Sequence, residues 1–99
     1  MPIQIHLIIE AGPDRGREIT VPPEGVRVGR SSANDIALAD PVASRFHSRF
    51  LWTPEGRLAV ADLGSSNKTE VNRHAISGET TLTTGDRIMI GDTTIKVVI

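Results

Sequence analysis

The chain has 99 residues, enough for one hydrophobic core and too few for two independently folding units, so it reads as a single domain over residues 1–99. Its 38% hydrophobic and 23% charged residues exclude a disordered chain, and a formal net charge of -1 excludes a broad electrostatic attraction to nucleic acid, leaving local anion recognition open. With no cysteine there is no disulfide, thiolate metal site or thiol nucleophile.

No apolar run approaches the ~20 residues needed to cross a bilayer. The segment Met1 to Glu10 lacks the basic start and small-residue cleavage site of a signal peptide. The expectation is a cytoplasmic chain with no cofactor, no metal, and neither nucleic acid nor membrane as partner. A domain of this size is also a common module of longer proteins.

Glycine and proline recur so often that the longest stretch free of both is Ser65 to Ser77, itself rich in turn-favouring Ser, Asn and Thr. Helices have little room. Apolar residues alternate instead, beginning with Ile3, Ile5, Leu7 and Ile9 before the turn signal Gly12-Pro13-Asp14. Val26 and Val28 follow Pro22-Pro23-Glu24-Gly25. Ser48, Phe50 and Trp52 are separated from Leu58 and Val60 by Pro54-Glu55-Gly56. Ile88 and Ile90 follow Thr84-Gly85-Asp86, and Ile95, Val97 and Ile99 follow Gly91-Asp92. Period two over short segments marks half-buried strands. The pattern predicts an all-β fold, a two-sheet antiparallel β-sandwich of about ten or eleven short strands, although a barrel fits the same spacing. Trp52 and Phe50 are expected in or against the core, His6 and His74 at ordinary strand or surface positions, and Arg49 and Arg73 as solvated surface charges, with the rim of the site as the alternative.

Three intervals depart from plain hairpin chemistry: Gly29 to Asp35, Ala39 to His47 and Leu63 to Asn72. Each supplies hydroxyl, amide or cationic donors. Gly29-Arg30, then Ser44-Arg45-Phe46-His47, then Gly64-Ser65-Ser66-Asn67-Lys68-Thr69 with Val71-Asn72, closely resemble the ordered signature of forkhead-associated (FHA) domains. Together with a late Gly-Asp pair, the resemblance covers roughly Val26 to Ile99, and Met1 to Gly25 fit as the first two strands. Any one motif is weak, whereas four in order at the family spacing are specific.

The resemblance implies an FHA-like sandwich whose loops 29–35, 39–47 and 63–72 bind a phosphothreonine-containing segment of a partner. A phosphothreonine carries about −1.5 to −2 charges and three strong acceptor oxygens, so its receptor needs a cation and several fixed donors. By the resemblance, Arg30, Ser44, Arg45 and Ser66 lie at the phosphate and Asn67 grips the peptide main chain. Gly29, His47, Thr69 and Asn72 support the loops. A Ser/Thr kinase is implied upstream, with the ligand in another protein or in the same parent chain. Val42 and Lys68 are rim positions. An apolar Val42 gives the expectation of an uncharged or aliphatic ligand residue a few positions after the phosphothreonine.

Two departures stand out. Lys68 and Arg73 occupy positions where the family usually has Gly, and Lys is expected to alter the shape of the Asn67 turn slightly and to point to solvent. Two other functions stand beside the main reading. One is a phosphate-independent interaction or self-association module on the same fold. The other is a hydrolase built from Ser44, His47 and Asp62 or Asp40, against which count the close spacing of Ser44 and His47 and the lack of a nucleophile elbow.

Overall fold

The computed structural model describes residues 4–99, so Ile3, the first residue of the leading apolar alternation, lies outside the described residues. Eleven strands follow in chain order: β1 (His6–Ala11), β2 (Glu18–Thr20), β3 (Val26–Gly29), β4 (Ile36–Ala37), β5 (Ser48–Trp52), β6 (Leu58–Asp62), β7 (Thr69–Val71), β8 (His74–Ala75), β9 (Thr80–Thr81), β10 (Arg87–Ile90) and β11 (Thr93–Val98). They form a six-stranded sheet in the order β2-β1-β11-β10-β7-β8 and a five-stranded sheet in the order β4-β3-β5-β6-β9. Among the described residues no helix is long and apolar enough to cross a membrane.

The two sheets meet through the alternating residues. Leu7 and Ile9, Ile88 and Ile90, and Ile95 and Val97 from one sheet share a core with Val26, Val28, Phe50, Leu58 and Val60 from the other. Phe50, fully enclosed, pairs in register with Val26 on one side and Val60 on the other. Burying a side chain of that size contributes on the order of 1.5–3 kcal/mol. Trp52 packs against the edge of this core and donates its indole N–H to the carbonyl of Pro22 at 2.8 Å, which satisfies its one polar atom.

The expectation of purely antiparallel sheets needs one correction. Strands β3 and β4 pair in parallel, Val28 with Ile36 and Gly29 with Ala37. The loop after β3 doubles back along that strand, held by the Leu38 N–H on the Gly29 carbonyl at 2.8 Å, and leaves a two-residue strand on the sheet edge.

Register decides where the loops go. Ser48, the first residue of β5, faces Asp62, the last of β6, and also neighbours Val28 near the end of β3. Thr69, the first residue of β7, faces Ile90, the last of β10. The β3–β4, β4–β5, β6–β7 and β10–β11 connections therefore gather at one end of the sandwich. The β1–β2 turn joins them, since Asp14 accepts from the Ala39 N–H at 2.8 Å and Arg17 donates to the Ala37 carbonyl at 3.0 Å.

Candidate functional site

Every buried polar side chain among the described residues lies at this loop end: Asn34, Asp40, His47, Ser48, Ser65, Thr69 and Thr93. Buried polar groups need partners. Asn34, Asp40 and His47 bond backbone groups of the loops, while Ser48, Ser65, Thr69 and Thr93 bond the side chains of Thr69, Asp62 and Asp40, so these residues set loop shape.

Gly29 is required by close approach. A Cβ at that position would collide with the carbonyl oxygen of Arg45 and come within 2.9 Å of the Asn34 amide nitrogen. The loops touch here directly: Arg30 N–H donates to the Ser44 carbonyl at 3.0 Å, and Ser31 N–H to the Arg45 carbonyl at 3.1 Å. Asn34 adds a second bond to the Arg45 carbonyl at 2.7 Å and one to the Ser31 carbonyl at 2.9 Å.

Arg30 donates Nε–H to the Ala43 carbonyl at 3.1 Å, which fixes the guanidinium and leaves its two terminal nitrogens outward on an exposed side chain. Ser44 Oγ accepts the N–H of Ser66 at 3.0 Å. Because that bond uses a lone pair, the Ser44 hydroxyl hydrogen remains free to donate. Asn67 donates one amide hydrogen to the Val42 carbonyl at 3.0 Å, leaving the other hydrogen and its carbonyl oxygen available. Arg45 and Lys68 are exposed at the same loops. Among the described residues neither of them, nor Arg30, has a carboxylate partner, so three cations stand at one cluster of hydroxyl and amide donors.

His47, fully buried, holds two loops at once. Its Nδ1 accepts the Ser44 N–H at 3.0 Å and its Nε2 bonds the Lys68 carbonyl at 2.8 Å. A backbone N–H can only donate, so Nδ1 is the bare nitrogen and Nε2 carries the hydrogen. Both nitrogens are thus occupied by main chain.

Lys68 has φ 64, the left-handed conformation. The expected change of turn shape is therefore corrected: lysine takes the backbone conformation that glycine favours, held by His47 on its carbonyl. Thr69, buried, donates its hydroxyl to Asp62 at 2.7 Å and shares a bond with Ser48 at 2.6 Å. Asn72 lies at the other end of β7, away from this cluster, where it bonds Asp86 at 3.0 Å and the Arg87 N–H at 3.0 Å.

Asp62 and Asp40, which the sequence offered only as carboxylates of the alternative hydrolase, instead organise the loops. Asp62 accepts from the Gly64 N–H at 2.9 Å, the Ser65 N–H at 3.0 Å and the Ser65 and Thr69 hydroxyls. Asp40, fully buried, accepts from the Val42 N–H at 2.9 Å, the Asp92 N–H at 2.7 Å and the Thr93 hydroxyl at 2.8 Å. Burial would raise both carboxyls, but these hydrogen bonds outweigh it and hold each below the ordinary aspartate value. For Asp62 the available signal was Gly64 and Ser65 two and three residues later; Asp40, followed by Pro41, Val42 and Ala43, carries no such signal. The same bonds dispose of the hydrolase. Ser44 Oγ bonds Ser66 rather than His47, and neither Asp40 nor Asp62 touches the imidazole.

A depression of about 520 Å³ lies on the outer face of the six-stranded sheet, lined by Asn72, Arg73, Arg87, Met89 and Thr94. It shares none of Arg30, Ser44, Arg45, Ser66 or Asn67, and Arg87 is already paired with Glu10 at 2.8 Å.

The FHA domain family model matches residues 26–91. The oxoglutarate dehydrogenase inhibitor of Corynebacterium efficiens is 38% identical over 85 residues, covering 86% of this chain and 58% of that protein. The glycogen accumulation regulator GarA of Mycolicibacterium smegmatis is 34% identical over 85 residues, covering 86% of this chain and 52% of that protein. The chain thus spans little more than half the length of these curated relatives. A solved FHA domain, studied for its phosphothreonine-dependent interactions, superposes with a TM-score of 0.87 at 28% identity, covering 98% of this chain and 97% of that one. The chain belongs to the FHA domain family, a phosphothreonine-binding interaction module and not an enzyme.

Proposed function

We propose that the whole chain acts as one unit that captures a phosphothreonine-containing segment on the loops after β3, β4 and β6. The terminal guanidinium nitrogens of Arg30, the Ser44 hydroxyl, the Arg45 side chain and Ser66 take the phosphate oxygens. Asn67 uses its remaining amide hydrogen and carbonyl on the ligand main chain. His47, Gly29 and Thr69 position these groups without touching the ligand, and Asn72 supports the distal hairpin. A Ser/Thr kinase writes the mark, in another protein or in the same parent chain, and the setting is the cytoplasm.

The single observation that carries this reading is the pair of bonds Arg30 Nε–H to Ala43 and Ser66 N–H to Ser44 Oγ, at 3.1 Å and 3.0 Å. Together they draw three loops into one preorganised cluster that is cationic and has no carboxylate partner among the described residues. A dianion needs such fixed, charge-assisted donors. Val42, 39% exposed beside Asn67, favours an uncharged or aliphatic ligand residue a few positions after the phosphothreonine. The left-handed Lys68 supports the phosphate reading over a phosphate-independent module, because the turn that presents Asn67 keeps its form.

Calorimetry with a phosphothreonine peptide and its unphosphorylated twin tests the proposal. The expected result is micromolar binding of the first, since a short flexible ligand must be ordered on binding, and no measurable binding of the second. Equal affinities would refute it.

A further inference from the structure

Four large apolar side chains are exposed among the described residues, and three of them, Val42 at 39%, Phe46 at 45% and Leu63 at 40%, lie on the two loops that carry Ser44 and Ser66; the fourth is Ile99 at the chain end. A single exposed apolar residue is ordinary. Three flanking one cluster of anion donors are not scattered.

Hydrogen bonds fix their order. Asn67 bonds the Val42 carbonyl at 3.0 Å, Ser66 bonds Ser44 at 3.0 Å, and the Leu63 N–H bonds the His47 carbonyl at 2.9 Å. The β4–β5 loop, read forwards, thus faces the β6–β7 loop, read backwards. Val42 sits at one end of this paired track, the phosphate donors in the middle, and Phe46 and Leu63 at the other end.

We infer that Phe46 and Leu63 form a second reading site on the ligand, receiving a large apolar side chain two or three residues before the phosphothreonine. This rests on the phosphothreonine reading and on Val42 meeting residues after it. An extended ligand advances about 3.3 Å per residue, so a residue two or three positions from the phosphate comes over Phe46, which is itself two residues from Ser44. Phe46 is the one aromatic ring not committed to the core, since Phe50 is enclosed and Trp52 packs on the core edge. A ring presented rigidly on a loop whose carbonyls are pinned on both sides is a suitable anchor for an apolar ligand group. Arg45, between Ser44 and Phe46, is exposed and has no carboxylate partner among the described residues, so it disfavours a basic residue at the same place. Continuity with the phosphate donors makes the phosphorylated segment itself the occupant.

The test is a phosphothreonine peptide library varied at each position from four before to four after the phosphorylated residue. Calorimetry on peptides with Leu, Ala or Lys at the selected position follows, using the wild type, Phe46→Ala and Leu63→Ala. Selection of Leu or Phe two or three residues before the phosphothreonine, roughly five- to tenfold over Ala, is expected, with Lys weakest. Each substitution should abolish most of that preference. Flat selection before the phosphothreonine, with phosphorylated peptide still preferred over unphosphorylated, would overturn this inference and leave the phosphate reading standing. Indifference to phosphorylation would remove both. If Phe46→Ala instead dissociates a dimer in sedimentation and leaves selection unchanged, the patch belongs to a second copy and the inference fails.

Discussion

His47 donates its Nε2 hydrogen to the carbonyl of Lys68 at 2.8 Å and accepts the Ser44 N–H on Nδ1 at 3.0 Å, so one buried ring couples the loop bearing Ser44 to the turn bearing Asn67. Removing it opens a cavity and strands two main-chain groups together. His47→Ala should cost about 2–4 kcal/mol of stability. For a domain of this length that lowers the melting temperature by at least about 8 °C. Phosphopeptide affinity should fall too, although His47 contacts no ligand. A variant melting like the wild type would show that the two loops hold their shape without the ring.

Lys68 and Arg73 carry left-handed backbone, φ 64 and φ 71, where side chains are disfavoured. An L-residue loses roughly 1–2 kcal/mol in that region, and glycine gives back about 0.5–1 kcal/mol through its freer unfolded chain. Lys68→Gly should therefore stabilise by about 0.5–1 kcal/mol. Arg73→Gly should do the same, because Asn72 at φ 50 and Arg73 form the two-residue turn of the β7–β8 hairpin, a geometry that prefers Asn-Gly. The sites flank β7 at opposite ends, so the gains should add in urea titrations. With Lys68 exposed and facing solvent, Lys68→Gly should shift phosphopeptide affinity less than about threefold.

The acid limb of the stability curve should belong to Asp40 and Asp62. Burial would raise each carboxyl, but for Asp40 the Thr93 hydroxyl and backbone donors prevail, and for Asp62 the Ser65 and Thr69 hydroxyls and backbone donors prevail. Each folded value lies below the ordinary 3.8. A group depressed in the folded state adds stability above its unfolded value and loses it as pH falls through the folded one. Melting temperature should thus be flat with respect to these groups above about pH 5 and decline below about pH 4. Asp40→Asn should destabilise by about 1–3 kcal/mol, since either orientation of the amide turns its NH2 toward a main-chain N–H, that of Val42 or that of Asp92, and should shallow the acid decline. An unchanged acid limb in Asp40→Asn would assign that decline to other carboxyls.

The parts of this fold legible in the sequence were those governed by local period. Ile88 and Ile90, Ile95 and Val97, and Val26 and Val28 alternate because one face of each strand is covered, and all six are buried. Strands β8 and β9 escaped because two residues cannot show a period and theirs are not buried. The parallel β3–β4 pair escaped because nothing in Ile36-Ala37 encodes direction. At the candidate site, Gly29, Arg30, Ser44 and Asn67 stood out through motif order. Asp40 entered the sequence reading only as a hydrolase carboxylate, because its partners Asp92 and Thr93 lie 52 and 53 residues away, a distance no local pattern spans.

Arg30 offers the most direct trial of the phosphate reading, because its geometry separates charge from shape. Nε–H is committed to the Ala43 carbonyl at 3.1 Å, so only the two terminal nitrogens reach outward, side by side, as a fork suited to two phosphate oxygens. Arg30→Ala removes charge and fork together and should weaken phosphopeptide binding by about 1.5–3 kcal/mol, tenfold or more. Arg30→Lys keeps the charge, but one ammonium cannot hold the Ala43 carbonyl and grip two phosphate oxygens. It should recover only part of the loss. Raising salt from about 0.05 to 0.5 M should weaken the wild type more than Arg30→Ala, since screening acts on a charge the variant lacks. Calorimetry at two salt concentrations gives all of these values, and equal binding by Arg30→Ala and wild type would exclude Arg30 from the phosphate.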